Sequence, residues 1–415
     1  MAVSRAARPR QPISPWSYRA PLFLWALLLQ LVLYRNSGYS WHFFAEGGTL
    51  LLGGHPPGMA LPGGLHLYAN YPQLQFGPVA LLAVVVLLPL TTASGWMFAT
   101  WFMTLTGIVV CYLVERLVRE SRPGDATWAT TSTMLIGGGS FLFSWELLAV
   151  HFGHLDDVLA LALLAAAGLA VAQRSPLLTG VLLGLATDAK PWALACAALV
   201  LALPRPTWWR ALAAAAVVIA LAWLPFILAD PGTVHAAASF TIPNVPASAL
   251  RALGVNSPAT PSWDRLAQLG AGCALGAYAV CRGRWQAVLA LGIGARIVLD
   301  PSVYSYYTAG LAFGLLCWDL IGYRRPLPVA SLACLAGLTI APAIVHNDQV
   351  LGELRLWTVL AVSAIVLFAP RFSGTAPTRP NDHSGQTDRI DQVRIESVGT
   401  GRYGGRHVIR VPRSR

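Results

Sequence analysis

Four short stretches of this 415-residue chain place ionisable side chains between long apolar runs. In the first, residues 36–75, Glu46 is the only acid, and Tyr68 and Gln75 precede the next apolar run. Carboxylates, imidazoles and ammonium groups can transfer protons, and each is costly near a bilayer, so such residues are candidates for function. The alternative for this stretch is an interfacial loop, in which aromatic residues lie at headgroup level and the carboxylate is incidental.

The second stretch, residues 146–161, brings two histidines and two aspartates into an otherwise apolar helix. Adjacent residues point about 100° apart on a helix, so Asp156 and Asp157 need not share a partner. His154 and Asp157 are three residues apart and can lie on one face. Capping of a helix N-terminus would explain Asp156 but not the whole group, which also includes His151. Histidine and aspartate bind metals as well, although this spacing matches no strong metal template.

The third stretch is "LATDAKPWALA", residues 185–195, which holds the only lysine of the chain. Lys190 lies between two apolar half-helices and directly before Pro191. A local ion pair with Asp188 is one interpretation, and a lysine that extends its ammonium to the interface is another. An ammonium at a helix break that faces a cavity would instead suit a phosphate or carboxylate ligand.

The fourth stretch is "ARIVLDPSVYSYYTAG", residues 295–310. Arg296 and Asp300 are four residues apart and can pair on one helix face. Three tyrosines follow at the rim of the next apolar run, namely Tyr304, Tyr306 and Tyr307. Together they form either a structural pair with interfacial tyrosines or a wall that binds a sugar or a lipid headgroup.

The elements that must position these residues are membrane helices. The chain is 55% hydrophobic and only 11% charged, with a mean hydropathy of +0.57, whereas a soluble domain has about 25% charged residues. The long apolar runs predict an all-α polytopic membrane protein, because a membrane β-barrel would show alternating segments of about ten residues. The thirteen apolar segments are 19–35, 76–92, 95–115, 126–148, 156–173, 175–188, 190–204, 208–229, 264–281, 285–299, 304–322, 327–344 and 354–370.

The arginines indicate the topology, because cytoplasmic loops carry an excess of basic residues. The N-terminus has four arginines and no acid, and from residue 150 onward basic clusters alternate with arginine-poor loops. This pattern predicts that both termini are cytoplasmic and that all four stretches lie on the outer face of the cell membrane. The distribution also accounts for the net charge of +11 without a nucleic-acid partner.

Thirteen single crossings cannot leave both termini on one side, so one segment must re-enter. A candidate is 126–148, which three consecutive glycines interrupt, provided that 115–125 is outside. Segments 175–188 and 190–204 have about 14 residues each, or roughly 21 Å as α-helices, which is short of a bilayer core near 30 Å. Such broken helices need shielding by neighbouring helices and tend to line a cavity.

Composition also divides the chain. Residues 1–18 are expected to be a cytoplasmic segment, 19–370 the transmembrane domain with 36–75 as its large first outer loop, and 371–415 a disordered basic cytoplasmic tail. The cysteines all fall inside apolar segments without metal-ligand or disulfide spacing, which predicts buried thiols. They are Cys111, Cys196, Cys273, Cys281, Cys317 and Cys334.

With these features the chain resembles the GT-C glycosyltransferases, and is most similar to glycosyltransferase family 87, the polyprenol-phosphate-mannose-dependent mannosyltransferases of actinobacteria. The resemblance covers about residues 19–370 and implies a GT-C-like bundle of about twelve to thirteen transmembrane or re-entrant helices. It rests on the acid Glu46 in the first outer loop, "LYANYPQLQFGP" (67–78), "HFGHLDD" (151–157), "GLATDAKPWAL" (184–194) and "PRPTWWR" (204–210).

The resemblance implies transfer of a hexose, expected to be mannose, from a polyprenyl-phosphate donor to a cell-envelope lipid or glycan on the outer face. Glu46 would be the catalytic base, but many members carry paired acids in this loop, which leaves Asp156 or Asp157 as alternatives. A cation must stabilise the leaving phosphate, with Lys190 the first candidate and Arg296 the second. The other substrate-binding candidates are His151, His154, Asp300, Tyr68, Gln75, Tyr306 and Tyr307. Neither a cofactor nor a metal is expected, since a fixed cation can serve a monophosphate donor.

Two other classes of function remain open at this point. A secondary transporter or lipid-linked-sugar flippase could use a membrane acid, histidine and lysine for proton coupling. No internal repeat supports that interpretation, and a transporter needs no long aromatic first loop. A non-catalytic membrane scaffold would not need charges in four stretches along one face.

Overall fold

A computed structural model describes residues 14–90, 95–122, 128–323 and 326–370. These ranges are helical, with no β-strand among them beyond an isolated bridge between Pro243 and Ala259. The predictions for residues 1–13 and for the tail lie outside the described residues. Six helices are long and apolar enough to cross a bilayer, as expected of an α-helical membrane protein: Trp16–Asn36, Trp96–Ser121, Ala129–Phe152, Leu155–Ala172, Arg205–Ala229 and Asp348–Phe368.

The α-helices, in chain order, are α1 Trp16–Leu33, α2 Trp41–Leu51, α3 Leu67–Asn70, α4 Pro78–Leu87, α5 Trp96–Ser121, α6 Trp128–Glu146, α7 Leu155–Ala172, α8 Pro176–Ala189, α9 Trp208–Ala229, α10 Gly232–Ser239, α11 Ala249–Ala252, α12 Asp264–Cys281, α13 Val288–Leu299, α14 Tyr307–Cys317, α15 Val329–Leu335, α16 Ala341–Ile344 and α17 Asp348–Phe368. The longer segments of other helix types are the 3-10 helix Pro191–Ala202 and the π-helical segments Leu147–Phe152, Trp318–Tyr323 and Ala336–Ile340.

Each of the thirteen predicted apolar segments coincides with helix in the structure. The prediction of residues 36–75 as a loop is wrong in part, because α2 lies within it. Trp41 and Phe44, three residues apart, are buried on one face of this helix, and Leu50 near its end is buried as well. The rest of the stretch contributes only short helical turns.

Hydrogen bonds and ion pairs between helix termini define two ends of the bundle. At one, which we call the basic end, Arg19 at the start of α1 pairs with Glu115 late in α5, with 2.7 Å between Nη2 and Oε1. Arg122, directly after α5, donates to the backbone oxygen of Ile321 beyond α14. Arg284 before α13 donates to the oxygen of Val366 near the end of α17, at 2.9 Å. These three arginines therefore hold helix ends together on one side of the bundle.

At the opposite end of the bundle, which we call the site end, the other helix termini contact one another. The backbone nitrogen of Gly38, after α1, donates to the oxygen of Val150 at 3.1 Å, and that of Gly77 donates to the oxygen of Ala189, the last residue of α8, at 3.0 Å. His66 Nδ1 lies 3.1 Å from Asp230 Oδ2 beyond α9. This hydrogen bond, with a second from the Gly232 backbone, holds the pKa of Asp230 below its usual range.

Helix α4 bears on the odd number of predicted apolar segments. It begins at the site end, where Gly77 contacts Ala189, and at 10 residues it is only about 15 Å long. The next helix, α5, also begins at the site end, since Trp96 Nε1 donates to Ser37 Oγ at 3.1 Å. Gly77 and Trp96 therefore both lie at the site end, on either side of α4.

The interpretation of 126–148 as the re-entrant segment is wrong. Three glycines do not interrupt it, because Ala129–Phe152 is one continuous helical run. It ends at the site end, where Val150 contacts Gly38, and near its start Thr133 Oγ1 lies 3.4 Å from the oxygen of Pro326, between α14 and α15. Removing 76–92 from the thirteen segments leaves twelve, an even number, as the predicted placement of both termini on one side requires.

Helix α8 and the 3-10 helix Pro191–Ala202 form a hairpin, which we call the α8 hairpin, and it shows how the broken helices are built. Lys190 is extended, with φ −148° and ψ 118°, as expected of a residue before proline. The following twelve residues form a 3-10 helix, which rises about 2.0 Å per residue and so reaches roughly 24 Å, more than an α-helix of this length. Gly272 of α12 lies so close to this helix that a Cβ there would be 2.7 Å from Ala195 Cβ. The predicted shielding by neighbouring helices is confirmed.

The prediction of buried thiols holds for four of the six cysteines. Cys281, the last residue of α12, is exposed, and Cys273 on the same helix is half-buried. All six are free, as the sequence predicted. The two exceptions share α12.

Candidate functional site

The two aspartates of the second stretch occupy the first turn of α7 at the site end. Gly153, with φ +71°, ends the π-helical segment before it, and a Cβ there would lie 2.8 Å from the Trp96 ring. Asp156 Oδ1 accepts a hydrogen bond from the backbone nitrogen of Asp157 at 2.8 Å. Asp156 is not the cap of this helix, because His154 holds the N-cap position and makes no side-chain cap hydrogen bond. Asp156 Oδ1 does satisfy one backbone N–H of the first turn, where the helix dipole also favours negative charge.

The other oxygen of Asp156 pairs with Lys190 from the α8 hairpin. Lys190 Nζ also lies 3.8 Å from Asp157 Oδ2, and Trp192 Nε1 donates to Asp157 Oδ1 at 2.6 Å. Both aspartates are buried. Two residues of one hairpin therefore bind both aspartates, although these diverge on their helix.

The alternative of a local Lys190–Asp188 pair is wrong, because Lys190 extends to α7 instead. Asp188 is buried where Gly77, two residues after the first stretch, packs against α8. A Cβ at Gly77 would lie 1.8 Å from the backbone oxygen of Asp188, so the two backbones approach as closely as glycine allows. This contact fixes the first stretch next to the hairpin.

His154 completes the cluster. Its Nδ1 lies 3.6 Å from Asp156 Oδ1 and 3.7 Å from Asp157 Oδ2, which confirms that His154 and Asp157 share a face. The imidazole stacks on Tyr306 with 3.8 Å between ring centroids, and Phe44 of α2 meets it edge-on at 6.0 Å. We call His154, Asp156, Asp157 and Lys190 the acidic cluster.

His151 is not part of the acidic cluster. Its Nδ1 lies 2.9 Å from the backbone oxygen of Asn36, and its ring packs against Tyr39 with 4.8 Å between centroids. Tyr68 is also separate, because it is buried and its hydroxyl donates to the backbone oxygen of Phe76 at 2.9 Å. Both residues support the position of the first stretch rather than the cluster itself.

Arg296 lies on the other side of the hairpin. Its guanidinium is 4.0 Å from the Tyr307 ring centroid and 5.5 Å from that of Trp192, and it donates to the Tyr307 hydroxyl. Its Nε lies 3.9 Å from Asp300 Oδ2, so the predicted pair at four-residue spacing is confirmed, although it is too long for a hydrogen bond. Arg296 Nε is buried and has no hydrogen-bonding partner among the described residues.

A cavity of about 210 Å³ joins residues from the first, third and fourth stretches. The predicted site residues that line it are Gln75, Lys190, Arg296, Asp300 and Tyr307.

Asp264, Arg265 and Gln268 of α12 also line this cavity, and sequence reasoning missed them. Asp264 is buried and accepts a hydrogen bond from Gln268 Nε2 at 2.7 Å. The adjacent charges of Asp264 and Arg265 at the start of an apolar segment were the available signal.

Glu46 lies half-buried on α2. No hydrogen bond or ion pair joins it to another of the described residues. Two residues earlier on the same helix, Phe44 contacts His154, so α2 packs against the acidic cluster. The role of Glu46 as the base stays a prediction.

His154, Asp156 and Asp157 are the described residues that offer metal-ligating atoms together, all within 4.8 Å of one another. Comparison of the chain with protein-family models, with curated proteins and with solved structures finds no match in any of the three. The chemistry of the acidic cluster and of the adjoining cavity is therefore what bears on function.

Proposed function

We propose that this chain is an integral-membrane glycosyltransferase that moves a hexose, expected to be mannose, from a polyprenyl-phosphate donor to a lipid or glycan hydroxyl. The observation that carries the proposal is the cavity that Lys190 and Arg296 share with the Trp192 and Tyr307 rings. Cations, aromatic faces and carboxylates in one cavity are what a phosphate-linked sugar requires.

The donor phosphate is assigned to Lys190 and Arg296. Asp156 holds Lys190 in place, so little side-chain entropy is lost when the ammonium binds an anion. Arg296 Nε is buried and has no hydrogen-bonding partner among the described residues, so it can donate to a phosphate oxygen. A guanidinium suits this role because its fixed donors match phosphate geometry.

The sugar is assigned to the wall that faces these cations. Trp192 and Tyr307 offer ring faces, and Asp264, Asp300 and Gln75 offer polar atoms for hydroxyl groups. Apolar surface with a few placed polar groups is typical of sites that orient small ligands. The hexose would lie against the rings with its hydroxyls towards the carboxylates.

The transfer step needs a base for the acceptor. Glu46 takes the proton of the acceptor hydroxyl, and the acceptor oxygen attacks the anomeric carbon of the sugar. The bond from that carbon to the phosphate oxygen breaks, and polyprenyl phosphate leaves with the electron pair, inverting the anomeric centre. Lys190 and Arg296 stabilise the charge that develops on the leaving phosphate. Asp157 is the alternative base, since one of its oxygens lacks a hydrogen-bonding partner among the described residues.

The sidedness of the site follows from the arginines. The basic end carries Arg19, Arg122 and Arg284, and basic residues favour the cytoplasmic side. We assign the site end to the outer face of the cell membrane. Only the sugar phosphate of the donor need leave the lipid there.

The test uses the full-length protein purified into lipid nanodiscs. The protein is supplied with polyprenyl-phosphate hexoses labelled in the sugar and with extracted envelope lipids and glycans as acceptors. We expect label to move to an acceptor from one donor, with release of one polyprenyl phosphate per sugar transferred. Lys190→Ala should abolish the transfer, and Trp209→Phe, at an exposed position of α9, should leave it unchanged. Absence of transfer from every donor, with proton-coupled uptake in liposomes, would favour the transporter instead.

A further inference from the structure

Two buried ligating atoms of the acidic cluster make no hydrogen bond with a described residue, although Asp157 Oδ2 lies 3.8 Å from Lys190 Nζ. His154 Nδ1 and Asp157 Oδ2 are both inaccessible and make no hydrogen bond with any described residue. The Asp157 side chain is 3% exposed and that of His154 is 12% exposed. Most buried polar atoms in proteins make hydrogen bonds, so two buried atoms without them indicate that a ligand binds between them.

The spacing of these atoms fits a metal ion. Ligands on a tetrahedral ion with bonds of about 2.1 Å lie about 3.4 Å apart. His154 Nδ1 lies 3.6 Å from Asp156 Oδ1 and 3.7 Å from Asp157 Oδ2, and all three atoms lie within 4.8 Å of one another. The two histidine–aspartate distances are too long for direct hydrogen bonds but close to those of ligands around one ion, whereas 4.8 Å is only the outer bound for all three atoms.

The net charge of the acidic cluster also favours a bound cation, an inference that rests on the proposed function. Asp156 and Asp157 carry two negative charges and Lys190 one positive charge, which leaves a net charge of −1 beside the cavity assigned to an anionic donor. A divalent cation would change this to +1. This positive charge would add to the attraction that Arg296, which lines the cavity, exerts on a monoanionic phosphodiester.

We propose that His154, Asp156 and Asp157 form a divalent metal site, for which Zn²⁺ is the best match. An imidazole nitrogen with two carboxylate oxygens suits zinc, whereas magnesium prefers oxygen ligands alone. Three protein ligands leave the fourth position of a tetrahedral ion for a donor phosphate oxygen or water. Lys190 is held by the second oxygen of Asp156, and its Nζ lies 3.8 Å from Asp157 Oδ2.

This site revises the expectation of a metal-independent reaction. The sequence showed the residues but not the geometry, because the spacing "HLDD" matches no strong metal template. The α8 hairpin supplies this geometry. Trp192 holds Oδ1 of Asp157, and Oδ2 is left without a hydrogen-bonding partner among the described residues.

The test measures zinc on the full-length protein in nanodiscs, prepared without a histidine tag. After chelation and dialysis against buffered Zn²⁺, elemental analysis should find one tightly held zinc ion per chain. His154→Ala and Asp157→Asn should each lose it. His151→Ala, which removes the neighbouring histidine outside the cluster, should retain it.

Thermal unfolding gives a second readout that needs no variant. Zn²⁺ should raise the unfolding temperature of the native protein, because a ligand that binds the folded state stabilises it. The proposal is overturned if the native protein holds no zinc and shows no thermal shift. It is also overturned if folded His154→Ala and Asp157→Asn proteins keep the same zinc. Neither measurement depends on sugar transfer, so failure here is distinct from failure of the proposed function.

Discussion

Lys190, the only lysine of the chain, pairs with Asp156 across 34 positions of sequence and joins the α8 hairpin to the first turn of α7. The Asp156 side chain is fully buried and that of Lys190 is 13% exposed. The pair holds the helix break against α7, and Lys190 also lines the cavity.

Lys190→Met should lower the free energy of unfolding by about 3–5 kcal/mol, because it leaves two buried carboxylates without their cation. The double variant Asp156→Asn with Lys190→Met should recover part of this loss, since it removes an uncompensated charge. Unfolding in mixed detergent micelles measures both. Equal loss in the single and double variants would show that the pair contributes nothing beyond packing.

Trp192→Phe should cost about 1–3 kcal/mol, because Asp157 Oδ1 would lose its donor inside the bundle. Trp209→Phe serves as the matched control, since Trp209 is 65% exposed. Chemical unfolding of the two variants gives the comparison. If both unfold like the native protein, the hydrogen bond from Trp192 is not needed to hold Asp157.

Gly77→Ala should prevent folding or destabilise the protein severely, because the added Cβ would lie 1.8 Å from the backbone oxygen of Asp188. Gly270→Ala on α12 is the control, since a Cβ there meets nothing within 4 Å and alanine favours a helix interior by about 1 kcal/mol. Yield of monodisperse protein and its thermal midpoint measure the difference. A stable Gly77→Ala protein would show that the first stretch does not dock on the hairpin.

The His66–Asp230 pair predicts a pH dependence. The pKa of Asp230 is lowered in the folded state, so its contribution is complete above the usual carboxyl pKa of about 3.9 and is lost as the pH falls through the lowered value. Asp230→Asn should therefore unfold at a lower temperature than the native protein at pH 7. The difference should shrink below about pH 4. A difference that grows towards acid would reverse this assignment.

Sequence reasoning located the helices because hydropathy is a local signal. All thirteen apolar segments became helix, and the pairs at three- and four-residue spacing, His154–Asp157 and Arg296–Asp300, lie together. Helical geometry alone predicts such neighbours. Helix α2 escaped notice because glycines and prolines follow it closely.

The contacts that assemble the site could not be predicted in this way. Lys190 reaches Asp156 and Gly77 reaches Ala189 only because the 3-10 hairpin packs between α7 and α12. The position of Asp264 in the cavity likewise depends on how α12 packs against its neighbours. Non-local packing of this kind leaves no periodicity in the sequence.

The most direct test of the proposed function is the turnover of Glu46→Gln in nanodiscs supplied with a labelled polyprenyl-phosphate hexose. Loss of a general base should lower kcat by about 10²–10⁴-fold, while donor affinity stays unchanged because Lys190 and Arg296 are intact. Unchanged turnover would contradict the assignment of Glu46 as the base, and absence of sugar transfer by the native protein from every hexose donor would contradict the account as a whole.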